Sequence, residues 1–292
     1  MQREISLDQL AGWSDGLSDE EQMVRDSVRR WTAQRWLPIV EEHFDKGTFP
    51  LDIAKSLAEL GVFGATISGY ECAGMSNMAY GLAMYELEYG DSGLRSFASV
   101  QGSLTMFAIE QFGSEAQKKR WLPALAKADA IGCFGLTEPD SGSDPGGMKT
   151  RARRDGDDWI LNGEKLWITN SPASDVAVVW AKTGEDAASI RGFLVERSTP
   201  GFSAPHIARK MSMRSSLTGG LVLEDVRLPA DALMPESRGL GSPLKCLNNA
   251  RFSVAFGVMG AARFCLQRTI DYTKERVQFG VPIAKKQLVQ GQ

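Results

Sequence analysis

The sequence predicts an α+β fold in three blocks: an α-helical domain over residues 1–130, an antiparallel β-barrel or sandwich over 131–240, and the start of an incomplete helical bundle over 241–292. Three observations carry this. Apolar residues recur at helical spacing up to about residue 130. The pattern then breaks into short runs of branched and aromatic residues, separated by turn residues with no helix-length gaps. From about Ser242 the helical spacing returns.

In the first block, Ser18 followed by Glu21 reads as a capping box before a long amphipathic helix. Met23, Val24, Val28, Trp31 and Leu37 form its core-facing stripe, and Pro38 bends or ends it. A second helix fits Leu51–Leu60 with Gly61 as its C-cap. A third fits Asn77–Tyr89 and a fourth Leu94–Phe112, while GYECAG (69–74) is a loop.

In the middle block, strands are expected at Ile131–Leu136, Trp159–Leu161, Val176–Ala181, Gly192–Val195 and Leu221–Leu223. The turns between them are DSGSDPGG (140–147), RDGDD (154–158), NGEK (162–165) and STPGF (198–202). In the last block, residues 247–276 read as one long helix carrying small residues for close approach, VQFGVP (277–282) as a turn, and Ile283–Gln290 as the first turns of a further helix. Such a pair leaves an apolar face of the long helix without a partner.

Composition excludes several classes. With 43% hydrophobic and 24% charged residues the chain is that of a folded globular protein. A net charge of −3 advertises neither a nucleic-acid nor an anionic-membrane partner. Cys72, Cys133, Cys246 and Cys265 form no C-x-x-C pair and suit a reducing compartment; with only His43 and His206 besides, no metal site is expected. The N-terminus MQREISLDQLAGWSDG is neither an apolar signal peptide nor an Arg-rich transit peptide, and no run of about 18 apolar residues occurs. A bacterial cytoplasm is expected, or a mitochondrial matrix in a eukaryote.

Among motifs, G-x-G-x-x-G after a strand, the P-loop and G-x-S-x-G are all missing, which argues against a doubly wound nicotinamide enzyme or a hydrolase. Two stretches stand out. CFGLTEPDSGSD (133–144) runs from a strand into a loop of hydroxyls and exposed backbone N–H groups, equipment for holding a flavin carbonyl or a phosphate; its plain alternative is a solvated turn. KLWITNS (165–171) puts Trp167 at a strand end, where it can stack on a flat cofactor or simply fill the core.

LTEPDSGSD, KLWITN two dozen residues later, and R-x-Q-F-G at Arg276–Gly280 together resemble the acyl-CoA dehydrogenase family over residues 18–292. Within it, YGDSGLRSFASVQGSL (89–104), CFGLTEPDSGSDP, ITNSPASD and CLNNARF (246–252) resemble the glutaryl-CoA dehydrogenase branch, with EPD standing where that branch has EPN. The resemblance implies FAD as cofactor, an acyl-CoA substrate, an electron-transfer flavoprotein as electron acceptor and a homotetramer at full length. It implies that Phe134, Leu136, Thr137, Ser143, Trp167, Ile168 and Thr169 wrap the flavin, with Thr137 and Thr169 bonding its ring. Arg276, Phe279 and Gln287 would serve the flavin site, Arg276 and Gln287 reaching its adenine–pyrophosphate half, partly across a subunit interface. It places Glu88, Arg95, Ser96 and Ser99 at the acyl end, and Ser143, Asn248 and Arg251 along the thioester and pantetheine.

Arg95 matters most. A guanidinium among small and apolar residues is suited to hold the free carboxylate of a dicarboxylyl thioester bidentately. Its alternative is an ion pair with Glu88, two helical turns earlier on the same face; the two roles are compatible. Asn248 and Arg251 have capping and salt bridging as theirs, and Arg276 and Gln287 a solvated charge and an exposed amide. The implied reaction removes the thioester α-proton, transfers the β-hydride to the flavin and releases CO₂, giving crotonyl-CoA. The resemblance puts the base in a Y-E-G-T type motif after R-x-Q-F-G; none occurs in these residues, so no catalytic base is named, and the 292-residue chain is expected to hold FAD weakly, if at all, and to lack dehydrogenase activity. Glu138 is no substitute, since the family uses its segment for flavin. The alternatives are another short-chain or specialised acyl-CoA dehydrogenase, a non-decarboxylating dicarboxylyl enzyme, and a non-catalytic relative.

Overall fold

A computed structural model describes residue 12 and residues 14–291. The acidic N-terminal stretch lies mostly outside them. Helix α1 (Asp19–Trp31) starts at the predicted box, with Ser18 Oγ accepting from Glu21 N–H and the Glu21 carboxylate accepting from Ser18 N–H. Val28 and Trp31 are buried and Val24 and Leu37 partly so, but Met23 is exposed, and Arg25 is buried instead. The stripe is therefore narrower than the hydrophobic residues suggest. A π-helical turn, Thr32–Trp36, continues α1 before Pro38. Then come α2 (Val40–Lys46), α3 (Ile53–Ala58), α4 (Asn77–Gly90), α5 (Ser92–Ser99), a π-helical segment Val100–Met106, α6 (Phe107–Phe112) and α7 (Glu115–Ala126). α5, the π segment and α6 form one continuous helix through 92–112. Asp91, in extended conformation, separates it from α4 and caps it through Leu94 N–H.

The sheet has the order β1–β4–β2–β3–β7–β6, with β5 also on β4. Its strands are β1 (Gly132–Gly135), β2 (Arg151–Asp155), β3 (Asp158–Thr169), β4 (Val176–Lys182), β5 (Ile190–Glu196), β6 (Phe202–Ser203) and β7 (Thr218–Leu228). Two expectations are corrected. The sheet is not wholly antiparallel: β1 pairs in parallel with β4, and β2 touches β4 in parallel at Arg151. Both faces of β1 and β4 are buried, the setting in which parallel pairing is at home. Phe134, Val178 and Trp180 face the helices, while Cys133, Ala177 and Val179 face the core on the other side of the sheet. NGEK (162–165) is not a turn either. β3 runs through it, absorbing the glycine as a register shift between Leu161 and Gly163 with Gly163 at φ +149°.

α8 (Gly241–Glu275) begins six residues earlier than predicted. It packs on α4 through small residues: a Cβ at Gly260 would collide with the Tyr85 carbonyl, and one at Gly257 with the Glu88 carboxylate. Its far side exposes Val254, Val258, Met259 and Leu266. VQFGVP forms the small hairpin of β8 (Val277–Gln278) and β9 (Val281–Pro282), and Gln287–Gln290 is a single helical turn, α9.

Candidate active site

Where the helical block meets the sheet there is a cleft of about 350 Å³. Its walls are Val100 and Leu104 of the π segment, Phe134 from β1, Leu136, Thr137, Gly142, Ser143 and Pro145 from the following loop, Trp167, Ile168 and Thr169 from β3, and Leu244, Leu247 and Arg251 from α8. The π turn changes the helical register there, a common way of re-aiming side chains at a site. Sequence reasoning missed Val100, Leu104, Leu244 and Leu247, since apolar helix residues carry no signal distinguishing a cleft wall from a core.

The β3 end is conformationally strained. Trp167 sits at φ +61° and is 58% exposed; Asn170 sits at φ +69° and is fully buried. Left-handed backbone is costly for Trp167, while asparagine adopts it more readily, and it persists where surrounding contacts over-determine it. The Asn170 amide donates to the Phe97 carbonyl at 3.3 Å and the Gly132 carbonyl at 3.4 Å, tying β3 to both α5 and β1. The result turns the Trp167 indole outward and leaves the Thr169 hydroxyl at the cleft.

Facing it, the 137–144 loop is pinned. Glu138 and Ser141 exchange two backbone hydrogen bonds, with Pro139 at the corner between them. The buried Glu138 carboxylate accepts from Lys149 N–H at 2.6 Å and Thr150 N–H at 3.0 Å, and pairs with Lys165 Nζ at 2.8 Å. Lys165 Nζ also donates to the Leu136 carbonyl at 3.1 Å. Burial pushes the Glu138 carboxyl up, but the Lys165 charge and these hydrogen bonds outweigh it and hold it below the usual carboxylate range. Burial pulls the Lys165 ammonium down to about 8 against the pull of Glu138. The Glu138 carboxylate is thus fully engaged with Lys165 and two backbone N–H groups.

Behind the cleft, Arg95 Nε donates to Glu88 Oε2 at 2.7 Å, and both are buried. The pair does not sit on one helical face as the seven-residue spacing suggested. Glu88 ends α4 and Arg95 belongs to α5, so they meet across the break at Asp91. Ser92 Oγ donates to Glu88 Oε1 at 2.8 Å. Ser96 and Ser99 are buried, and the Ser99 hydroxyl lies 2.8 Å from that of Ser253 on α8. Glu88, Arg95, Ser96 and Ser99 thus cluster beside the cleft without lining it. Asn248 and Arg251 are exposed and hydrogen-bonded to each other within α8; neither caps the helix, which starts at Gly241, and Arg251 also lines the cleft. Arg276, Phe279 and Gln287 are exposed beyond the end of α8 and do not reach the cleft of their own chain. Among the described residues no cluster of His, Cys, Asp or Glu is placed to hold a metal, and no helix is long and apolar enough to cross a membrane.

The acyl-CoA dehydrogenase N-terminal, middle and C-terminal domain families match residues 18–129, 133–226 and 237–292. The chain belongs to the acyl-CoA dehydrogenase family. Its fold is similar to a glutaryl-CoA dehydrogenase from Mycobacterium smegmatis solved with FADH2, at TM-score 0.94 and 54% identity, over 97% of this chain and 72% of that one. The mitochondrial short-chain specific acyl-CoA dehydrogenase of Bos taurus is 35% identical over 279 residues, covering 94% of this chain and 68% of the relative. A chain in the structure of an electron transferring flavoprotein of Acidaminococcus fermentans is similar at TM-score 0.91 and 33% identity, over 95% and 74%. The chain is a flavoprotein-type oxidoreductase of this family, with FAD as cofactor. The cleft fits that group: an exposed indole, two threonine hydroxyls and apolar walls of Phe134, Leu136 and Ile168 suit a flat, heteroatom-rimmed ring.

Proposed function

We propose that the chain is of the glutaryl-CoA dehydrogenase type within the acyl-CoA dehydrogenase family, a type that oxidises and decarboxylates glutaryl-CoA to crotonyl-CoA and passes electrons to an electron-transfer flavoprotein, and that these 292 residues by themselves, among which no base is named, bind but do not turn over the substrate. The observation that carries the substrate is Arg95: a buried guanidinium whose helix also supplies Val100 and Leu104 to the cleft. Arg95 precedes Val100 by five residues, about 7.5 Å along a helix axis at the usual rise. A carboxylate at the far end of a short acyl chain lying on that helix meets the guanidinium.

When bound, FAD supplies the hydride acceptor. Trp167 would hold the ring by stacking, and the Thr137 and Thr169 hydroxyls would hydrogen-bond its polar groups. Ser143, Asn248 and Arg251 follow the thioester and its pantetheine. Ser96 and Ser99 shape the acyl end, and Glu88 holds Arg95 in register. Apolar walls keep water from the reacting carbons. Arg276, Phe279 and Gln287 project away from this chain, which supports their serving the cofactor of a second copy in a homotetramer. Similarity to a chain from an electron transferring flavoprotein structure supports the electron partner. The division into 1–130, 131–240 and 241–292 follows the change from helix to sheet to helix.

The test is a titration of the purified chain with FAD, then with glutaryl-CoA or butyryl-CoA, followed by the flavin's visible absorption. Glutaryl-CoA should bind more tightly, and Arg95→Gln should remove that preference. Equal affinities would favour a short-chain monocarboxylyl enzyme, the reading that the bovine relative supports. A flavin-loaded protein that binds neither ligand would sink both.

A further inference from the structure

The Glu138–Lys165 pair belongs to no substrate or cofactor contact named above, yet it is among the most enclosed polar groups in the molecule: Lys165 is 0% and Glu138 5% exposed. A buried lysine in a strand is costly, and apolar residues of similar volume often replace such pairs without loss of stability. Its bonds point in one direction. Lys165 fixes the Leu136 carbonyl on one side of Thr137, and Glu138 is fixed on the other by Lys165, Lys149 N–H and Thr150 N–H. The Thr137 carbonyl itself accepts from Leu166 N–H at 2.9 Å, next to Trp167. Every neighbour of Thr137 along the chain is thereby tied to β3 or to the start of β2, and β3 is the strand that presents Trp167 and Thr169. From this geometry we infer that Glu138 and Lys165 are positioning residues that preset Thr137 against Trp167 and Thr169 before the flavin arrives. The inference rests on the flavin reading of the cleft.

The pair acts on the loop through neutralised charge and filled hydrogen bonds, with no bond made or broken in the reaction. Thr137 touches the cleft; Glu138 and Lys165 do not. Their effect on FAD must therefore run through Thr137 and its neighbours, and that is measurable.

Amide hydrogen exchange by NMR on the wild-type chain without FAD comes first. The amides of Glu138, Ser141, Thr150 and Leu166 should be protected to the same degree as those of β4 and should change little on adding FAD. Protection that develops only with FAD would overturn the inference, because the cofactor would then be ordering the loop. The second measurement is a cycle. Thr137→Val should weaken FAD binding at least tenfold and shift the visible flavin bands in the wild-type background. In the charge-free Glu138→Gln/Lys165→Met background, FAD should already be weakened and band-shifted to that extent, and adding Thr137→Val should change nothing more. Wild-type affinity and bands in the charge-free variant, or a Thr137→Val effect that adds in full, would overturn it. If that variant does not fold, the wild-type exchange result decides alone. A wild-type chain that binds no FAD yet shows the loop protected counts against the flavin reading and leaves the preset loop standing.

Discussion

The two buried ion pairs near the cleft are built differently. In Glu138–Lys165 the carboxylate also takes two backbone N–H groups and the ammonium a carbonyl, so both partners are enclosed and saturated. In Glu88–Arg95 the guanidinium gives Nε, and more weakly Nη2 at 3.5 Å, to a single carboxylate, and among the described residues its hydrogen bonds go to that one residue. A guanidinium has five donors in a planar fork. The first pair is closed upon the backbone and can only hold structure; the second retains donors for a ligand. Burial alone does not separate an architectural charge from a binding charge, but the count of remaining donors does.

The comparison is sharpest when one partner of the closed pair is removed. Lys165→Met alone leaves a buried carboxylate short of its cation and should cost about 3–5 kcal/mol of stability, most of it regained in Glu138→Gln/Lys165→Met. Thermal melts of the three variants check this; equal losses in single and double variants would break the distinction. Next in size, Arg95→Gln should weaken glutaryl-CoA by about 100-fold while leaving butyryl-CoA within about threefold, as read by calorimetry, because a lost charge-assisted carboxylate contact is worth about 2–3 kcal/mol. An equal loss for both ligands would make Arg95 as structural as Lys165. Gly257→Ala pushes a methyl against Glu88. It should lower stability by about 1–3 kcal/mol and weaken glutaryl-CoA more than butyryl-CoA; a selective effect places α8 in the pocket end, and a uniform one makes it packing only.

The smallest effect is a pH dependence. Glu138 has a folded-state pKa below its ordinary 4.5, so its stabilisation is complete above 4.5 and is lost as pH falls through the folded value. The melting-temperature advantage of the wild type over Glu138→Gln should therefore be constant from pH 7 to 5 and shrink as the pH falls below 4.5 through the folded value. An advantage that grows on acidification would contradict the direction of that shift.

Much of this was legible in the residues. The capping box at Ser18, the change of period near residue 131 and the long helix after Ser242 all follow from local spacing and cap chemistry. Thr137, Ser143, Trp167 and Thr169 come to one cleft as the motifs implied. Met23 was misread because helical spacing identifies a stripe but not its width, and NGEK because a glycine inside a strand looks like a turn until the partner strand is seen. Lys165 carries no local signal of its burial. A lysine next to a motif reads as solvated, and only the carboxylate 27 positions away makes its burial tolerable.

By itself the sequence determined the order of helix, sheet and helix, the family, and the residue types at the site, because caps, periodicity and motifs are local properties of a chain. The tertiary structure decided which strands run parallel, that Glu88 reaches Arg95 across a helix break, and that Glu138 and Lys165 lock a loop. Those depend on distances between segments far apart in the chain, and on the burial that makes an unpaired charge too costly to leave.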